Sequence, residues 1–308
     1  MSAASTRPVE ECTIGIVGLG LMGGAVAIAL RNCGAASAEH LLACDTSEET
    51  LARALSSGLI DEGFTVTQDT RGISQPRSFP KTLGVSQMLG RCDLVFICLN
   101  PSTLLRFMDS HMADFKEGAL ITDIAGTKTN ICDAMEKSLR PDLDFIPGHP
   151  MAGAEKGGFA NAELVNVKGK NYILTPLKRN KVENLEYIKN LIRRMGFGRI
   201  TETTAKEHDS KIAFTSQLCH VIAAALIDCE ADRDITRFGG GSFEDLTRIA
   251  MLNVPMWTEI FLANKTELLK RIDQFEASLD TLKTMIREEA GEELEKRLIA
   301  VRDRRAGM

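Results

Sequence analysis

One short stretch of this 308-residue chain, residues 148–158, sets a histidine and a glutamate among small residues directly after an apolar run. Small residues and proline leave little side chain to bury, so they favour a loop over a packed element. Such a loop can present His149 and Glu155 to a reactant. Neutral imidazole has an unperturbed pKa of about 6.5, so His149 could accept a proton at neutral pH. The alternative is a surface turn with an ordinary histidine.

A glycine-rich turn near the N-terminus is the second candidate site. An apolar run, residues 13–17, precedes the sequence GLGLMG, and helix-forming residues follow it, which predicts a strand, a turn and a helix. In that context the first glycine makes the turn, the second lets the backbone approach a pyrophosphate, and the third lets the helix pack close to the strand. The helix N-terminus favours the phosphate charge. We assign dinucleotide binding to Gly18, Leu19, Gly20, Leu21, Met22 and Gly23.

An acidic residue after the next apolar run indicates which dinucleotide is bound. Residues 41–44 predict a strand that ends in Asp45, about 20 residues beyond the glycines, where a ribose-binding carboxylate is expected. A carboxylate accepts hydrogen bonds from the ribose 2′-hydroxyl and repels a 2′-phosphate, so Asp45 favours NAD over NADP. The alternative is that Asp45 caps the helix that begins near Ser47, and both roles are compatible.

Three later apolar runs extend the predicted sheet: residues 94–99, 119–123 and 143–147. Continuous apolar runs are typical of strands that are covered on both faces. In a doubly wound sheet, ligands lie beyond the carboxyl ends of the strands. This rule brings Asn100, Lys128 and His149 to one cleft, with a surface position as the alternative for Lys128. Residues 64–90 contain scattered proline and glycine and predict an irregular insertion.

The alternation of strands and helices stops after residue 176, and helical periodicity follows. Apolar residues recur at spacings of three and four along residues 181–195, 206–228 and 269–286. We therefore predict an α/β doubly wound (Rossmann) N-terminal domain, residues 1–177, and an all-α C-terminal domain, residues 178–308. Long apolar stripes on the second domain predict that it also forms the interface of a homodimer.

Two groups of polar residues stand out in the helical half. His208 and His220 lie about three turns apart on one predicted helix, although a single histidine there is more often a buried core residue than a ligand. Farther on, three glycines, residues 239–241, precede a helix that carries Asp245 and Arg248. An arginine held by a carboxylate presents a fixed fork to a substrate carboxylate. A structural ion pair within the helix is the alternative.

The composition argues against several classes of protein. A net charge of -5 and a pI near 5.7, without a cluster of lysine and arginine, argue against a nucleic-acid partner. No apolar stretch of the sequence approaches the roughly 18 residues of a membrane helix, and the N-terminus lacks a secretory apolar core. Eight cysteines without a Cys-x-x-Cys pair suit a reducing compartment and suggest no metal site. We expect a cytoplasmic protein with no metal, membrane or nucleic-acid partner.

Together these stretches resemble the prephenate dehydrogenase family. The resemblance rests on the glycine turn, the sequence HPMAG at 149–153, the His208-Asp209 pair, His220, and residues 239–248 with Trp257 downstream. It covers nearly the whole chain, roughly residues 13–290. It implies the NAD-dependent oxidative decarboxylation of prephenate to 4-hydroxyphenylpyruvate in tyrosine biosynthesis. The amino analogue arogenate, which would give tyrosine directly, is the alternative substrate.

The resemblance also implies roles for individual residues. His149 matches the family's catalytic histidine, Glu155 an acidic position that would tune it or control access, and Arg248 the arginine that binds a substrate carboxylate. Lys128 is the third catalytic candidate. The other substrate-binding candidates are His208, His220, Gly241, Asp245, Trp257 and Thr127, and the cofactor-binding candidates beyond the glycine turn are Asp45, Asn100 and Gly126.

The sequence departs from the family at Gly126, where relatives commonly have a serine near the base and the nicotinamide. Thr127 or a water molecule would have to supply the missing hydroxyl. The departure leaves open a nucleotide-sensing homologue that has lost the reaction. The 3-hydroxyacid and 6-phosphogluconate dehydrogenases share the glycine-rich start and a helical half, but we find no convincing lysine and asparagine pair on one helix of that half.

Overall fold

Six parallel strands form the central sheet of the computed structural model, which describes residues 8–36, 40–66, 83–154 and 156–308. The order across the sheet is β3-β2-β1-β4-β5-β6, the order of dinucleotide-binding folds, so the predicted doubly wound fold is confirmed. The strands are β1 (Ile14–Val17), β2 (Leu41–Asp45), β3 (Glu62–Thr65), β4 (Leu94–Ile97), β5 (Leu120–Asp123) and β6 (Asp144–Ile146).

Hydrophobic clusters cover both faces of this sheet. Within β4, Leu94 and Phe96 belong to one cluster, whereas Val95 and Ile97 belong to the other. Successive side chains of a strand point to opposite faces, which explains why the run is continuously apolar. The covering helices are α1 (Leu21–Asn32), α2 (Glu48–Ser56), α3 (Leu83–Leu89), α4 (Pro101–His111) and α5 (Thr129–Ser138).

Residues 64–90 are more regular than the predicted insertion. The prediction is wrong for β3 and α3, while residues 67–82 lie outside the described part of the chain. Strand β3 pairs with β2 at the edge of the sheet, and all four of its residues are only half-buried. A short edge strand of this kind lacks the continuous apolar run by which the other strands could be recognised.

A second, three-stranded sheet follows the first. It consists of β7 (Gly148–Pro150), β8 (Asn171–Leu174) and β9 (Arg199–Glu202), with helix α6 (Val182–Arg194) between the last two strands. The sequence predicted only helices after residue 177, and β9 escaped notice because its residues are half-buried or exposed. The apolar side of α6 belongs to the same core cluster as β1. We therefore propose that the helical domain begins after β9 rather than at residue 178.

The rest of the chain is helical, as predicted. A continuous helical segment contains α7 (Ala205–Ile212), a π-helical turn (Ala213–Gln217) and α8 (Leu218–Asp228). Large apolar side chains remain exposed along the C-terminal helices, among them Leu269, Leu279, Ile286 and Leu298. The later helices are α9 (Gly241–Thr247), α10 (Val254–Ala263), α11 (Lys265–Arg287) and α12 (Gly291–Ala306).

One helical segment, Ala205–Asp228, is long and apolar enough to cross a membrane by length and composition alone. The sequence-based expectation that no stretch approaches this length is therefore wrong. A single helix of this length and composition is weak evidence for a membrane span. This segment also carries buried polar residues, His208, Asp209 and Gln217, which belong to the site described next.

Candidate active site

A cavity of about 600 Å³ lies where the loops after β1, β4 and β5 meet the helical half. It is therefore at the carboxyl edge of the sheet, as predicted for a doubly wound fold. The sequence-predicted residues in its lining are Gly20, Leu21, Met22, Gly23, Asn100, Gly126, His149, His220, Arg248 and Trp257. The described candidates outside this lining are Gly18, Leu19, Asp45, Thr127, Lys128, His208, Gly241 and Asp245.

The glycine turn has the shape that a pyrophosphate requires. Gly18 has φ +92°, in the left-handed region, and a Cβ atom on Gly23 would lie 1.9 Å from the carbonyl oxygen of Gly18. A side chain at either position is therefore excluded. Gly20 has no heavy atom within 4 Å of an added Cβ and lines the cavity just before the N-terminus of α1. The residues present fit a dinucleotide phosphate.

Asp45 supports this turn from the end of β2. Its Oδ2 accepts a hydrogen bond from the backbone N–H of Leu19 at 2.7 Å, and its Oδ1 accepts one from Ser47 at 2.8 Å. The cap of α2 is the hydroxyl of Ser47, which accepts from the N–H of Thr50. Each carboxylate oxygen retains a lone pair for a ribose hydroxyl. Ribose binding by Asp45 stays a prediction.

His149 lies on β7, in front of a second histidine and an aspartate. Its Nδ1 is 2.9 Å from Nε2 of His208, and Nδ1 of His208 is 2.8 Å from Oδ1 of Asp209. The Asp209 carboxylate also accepts hydrogen bonds from the backbone N–H groups of Lys128 and Thr129, both at 2.8 Å. These bonds hold the carboxylate as an acceptor in its ionised form.

The acceptor at Asp209 fixes the proton on each imidazole in turn. Nδ1 of His208 must donate to the carboxylate, so Nε2 of the neutral His208 ring is an acceptor. Nδ1 of His149 therefore donates to His208, and Nε2 of His149 carries the free lone pair. A neutral imidazole in this tautomer is ready to accept a proton at Nε2.

The surroundings keep His149 neutral. Burial is the main cause that holds its pKa well below the ordinary value, and the nearby His208 and the Lys128 ammonium lower it further. Burial also lowers the pKa of His208, against the opposing hydrogen bond to Asp209. Burial by itself would raise the pKa of Asp209, but its hydrogen bonds from His208 and Thr129 leave that pKa below the ordinary value.

Lys128 and His208 do not face the cavity, although the sequence interpretation made them catalytic and substrate-binding candidates. Lys128 is fully buried, with its ammonium on the carboxylate of Asp123, so it neither faces the cavity nor lies on the surface. A buried ammonium needs such a partner. His208 is also buried, behind His149 rather than in the substrate space. Thr127 is buried as well, outside the lining, so it gives the cavity no hydroxyl.

The aromatic and cationic candidates of the helical half line the same cavity. The rings of His220 and Trp257 stack with centroids 3.6 Å apart. Nδ1 of His220 donates to the carbonyl oxygen of Ser216, and burial lowers the pKa of His220, so the ring is neutral with Nε2 as an acceptor. Arg248 follows the end of α9 and lines the same cavity.

Two candidates on the helical half lie outside this lining. Gly241 and Asp245 lie on the exposed helix α9, away from the lining. Glu155 lies outside the described residues, although Ala154 and Gly157 beside it line the cavity. The interpretation of Gly241 and Asp245 as substrate contacts has no geometric support in this arrangement.

Gly126 faces the base directly. A Cβ atom at this position would lie 3.9 Å from both Cε1 and Nε2 of His149, and 3.4 Å from Cδ1 of Ile260. A side chain here would therefore point at the reactive nitrogen, where the family resemblance expects a serine. The position therefore lies beside the His149 nitrogen that carries the free lone pair.

Two buried polar residues of the site were missed from the sequence. Asp123 ends β5 and accepts hydrogen bonds from the N–H groups of Ala125 and Gly148 as well as from Lys128. Its position at the carboxyl end of an apolar strand was a usable signal. Gln217 is fully buried in the cavity wall, and its only sequence signal was an amide within an apolar helix.

Comparison with known proteins gives two matching family models. Residues 81–201 match the nucleotide-binding domain of prephenate dehydrogenase, and residues 204–300 match its dimerization domain. The prephenate dehydrogenase of Bacillus subtilis is 29% identical over 301 residues, which cover 96% of this chain and 76% of that protein. The cyclohexadienyl dehydrogenase of Zymomonas mobilis is 30% identical over 288 residues, 91% of this chain and 90% of that protein.

Two solved structures of such dehydrogenases are similar to this chain over most of its length. Prephenate dehydrogenase from A. aeolicus, in complex with hydroxyphenyl propionate and NAD+, has a TM-score of 0.80 and 31% identity, covering 96% of this chain and 97% of that one. Synechocystis arogenate dehydrogenase has a TM-score of 0.74 and 26% identity, covering 96% of this chain and 99% of that one.

Proposed function

Because the chain belongs to the prephenate dehydrogenase family and is an NAD-dependent dehydrogenase, we propose that its substrate is prephenate, which it decarboxylates oxidatively to 4-hydroxyphenylpyruvate. One observation carries the proposal. A single cavity joins the glycine turn, the free Nε2 side of His149 and the Arg248 side chain. A dinucleotide, a base and a carboxylate-binding cation are the groups that this reaction needs.

The described residues of the cavity wall favour prephenate over arogenate. Among the described residues that line the cavity there is an arginine but no aspartate or glutamate. Prephenate carries two carboxylates and a keto group, which are all acceptors. Arogenate carries an ammonium group in place of the keto oxygen, and a buried ammonium is stabilised best by an anionic partner. The wall supports the substrate without that ammonium.

His149 is proposed as the base. Its Nε2 takes the proton of the ring hydroxyl, and the resulting positive charge is stabilised by Nδ1–H donation through His208 to Asp209. NAD, when bound, supplies the acceptor for the hydride that leaves the ring carbon bearing this hydroxyl. The electron pair of the bond to the ring carboxylate then completes the aromatic ring as carbon dioxide departs.

The substrate is proposed to lie between His149 and the stacked rings of His220 and Trp257. The flat aromatic face suits a six-membered ring that becomes aromatic during the reaction. Arg248 is proposed to bind a carboxylate of the side chain, since its guanidinium presents paired donors. For the dinucleotide we propose the turn Gly18–Gly23 with Asp45, and Asn100 and Gly126 beside the nicotinamide.

The experiment is NADH formation by the purified protein with prephenate and with arogenate, repeated with NADP. We expect turnover with prephenate and NAD, and a kcat lower by about 10² to 10⁴ for His149→Asn. His40→Asn is the matched control, because His40 precedes β2 at the opposite edge of the sheet. Turnover of arogenate alone would support the alternative substrate. No turnover with either, together with measurable NAD binding, would support a nucleotide-sensing protein.

A further inference from the structure

Gln217 is fully buried in the cavity wall, and half of its side-chain amide is unused. Its Oε1 accepts a hydrogen bond from Nδ2 of Asn264 at 2.9 Å, whereas its Nε2 has no partner within the described part of the chain. Buried polar groups in folded proteins are almost always hydrogen-bonded, and an exception calls for a cause. A ligand that accepts a hydrogen bond from Nε2 would be such a cause.

The orientation of this amide is determined by its neighbours. Nδ2 of Asn264 also donates to the backbone carbonyl oxygen of Asp209 at 2.9 Å. A carbonyl oxygen can only accept, so this atom of Asn264 must be the nitrogen, and its second hydrogen needs an acceptor. Oε1 of Gln217 is that acceptor. Turning the Gln217 amide over would set two donors against each other, so the NH₂ group is the free end.

The backbone at Gln217 is also unusual. The residue closes the π-helical turn Ala213–Gln217 that interrupts the segment between α7 and α8. Single π turns within α-helices occur frequently at functional sites. His220 lies three residues farther on, on the same side of the helix, and both residues line the cavity. Gln217 therefore stands one turn from the ring that stacks on Trp257.

We propose that Gln217 is a substrate-binding residue whose NH₂ group donates a hydrogen bond to an oxygen of the bound substrate. The assignment rests on the proposed function, because prephenate offers carboxylate and keto oxygens as acceptors. A neutral donor binds an anion without adding a positive charge to the cavity that His149 also lines. The bond also links the substrate, through Asn264, to the backbone of Asp209, which orients the proposed base.

Two substitutions separate this role from a structural one. Gln217→Glu keeps the volume and the oxygen that accepts from Asn264, but it removes the donor and adds a negative charge. Gln217→Met keeps the approximate volume and removes both functions. We expect the KM for prephenate to rise by about tenfold or more in both variants, most in Gln217→Glu, with a smaller change in kcat. The KM for NAD should be unchanged.

Gln87→Met on the exposed face of α3 is the matched control, and thermal unfolding of each variant checks its fold. A merely structural Gln217 predicts a different pattern, in which both variants unfold at a lower temperature while the KM for prephenate of the folded protein stays near that of the unaltered protein. Prephenate turnover with an unchanged KM in Gln217→Glu would overturn the assignment alone. Absence of prephenate turnover in the unaltered protein would overturn the proposed function and the assignment with it.

Discussion

Nδ1 of His149 lies 2.9 Å from Nε2 of His208, so two imidazoles stand in line between the cavity and the carboxylate of Asp209. The first histidine comes from β7 beside the sheet and the second from α7 of the helical half. The tautomer of the proposed base is thus set by a residue of the other half of the molecule. The contact between the two halves is therefore part of the proposed active site.

The acid limb of the pH profile of kcat/KM tests the environment of His149. Burial, with His208 and the Lys128 ammonium, holds the pKa of His149 well below its ordinary value, so the ring stays neutral as the pH falls through that value. We expect kcat/KM for prephenate to show no loss due to this group between about pH 8 and the ordinary histidine pKa of about 6.5. An acid limb with a midpoint at or above that value, assigned to His149, would contradict the expectation.

Asp209→Asn tests whether Asp209 determines which nitrogen of His208, and in turn of His149, carries the proton. An amide at this position can turn a donor toward His208, which reverses the tautomers and removes the lone pair from Nε2 of His149. We expect kcat to fall by about tenfold to 10⁴-fold, with a KM for prephenate that changes much less. Asp228→Asn on the exposed end of α8 is the control. Equal kcat in the two variants would show that Asp209 does not orient the base.

Much of the fold could be predicted because patterns within short stretches of sequence determine its elements. The apolar strands, the glycine turn and the amphipathic helices each have a period or composition that short stretches of sequence contain. The edge strands β3 and β9 were missed because half-buried positions give no continuous apolar run. Their formation depends on pairing with β2 and β8, which the sequence around them does not contain.

The site was predictable in part for the same reason. His149, His220, Arg248 and Trp257 were found as side chains that suit the reaction, and they line one cavity. Lys128 was predicted to face the cleft, but its side chain is buried by an ion pair with Asp123. Asp123 lies five residues earlier, at the end of the preceding strand, and was not considered as a buried partner. Gln217 was missed because its importance follows from Asn264, a contact across 47 residues of sequence.

The exposed apolar residues of the C-terminal helices test the dimer prediction. Leu279 and Ile286 are 51% and 64% exposed on α11, two turns apart, and the matching family model is that of a dimerization domain. We expect the unaltered protein to have the mass of a dimer in sedimentation or light-scattering measurements, and Leu279→Glu with Ile286→Glu to shift it to the monomer. Leu55→Glu on α2 is the matched control. A dimer that survives the double substitution would place the interface elsewhere.

Gly126→Ser tests the position where the chain departs from its family. The added Cβ would lie 3.4 Å from Ile260 and 3.9 Å from Nε2 of His149, which are ordinary contact distances for a small side chain. The serine hydroxyl would then stand beside the base and the substrate hydroxyl. We therefore expect kcat/KM for prephenate to be similar or higher. Gly291→Ser, with no atom within 4 Å of the added Cβ, is the control.

The larger substitution Gly126→Val gives the opposite expectation at the same position. A branched side chain would press on Ile260 and enter the space beside Nε2 of His149, so kcat/KM should fall by about tenfold or more because the reacting groups are displaced. Steady-state rates of the two variants, measured together, identify what the position tolerates. A large loss in Gly126→Ser as well would mean that the cavity needs the empty space of glycine and that no hydroxyl acts there.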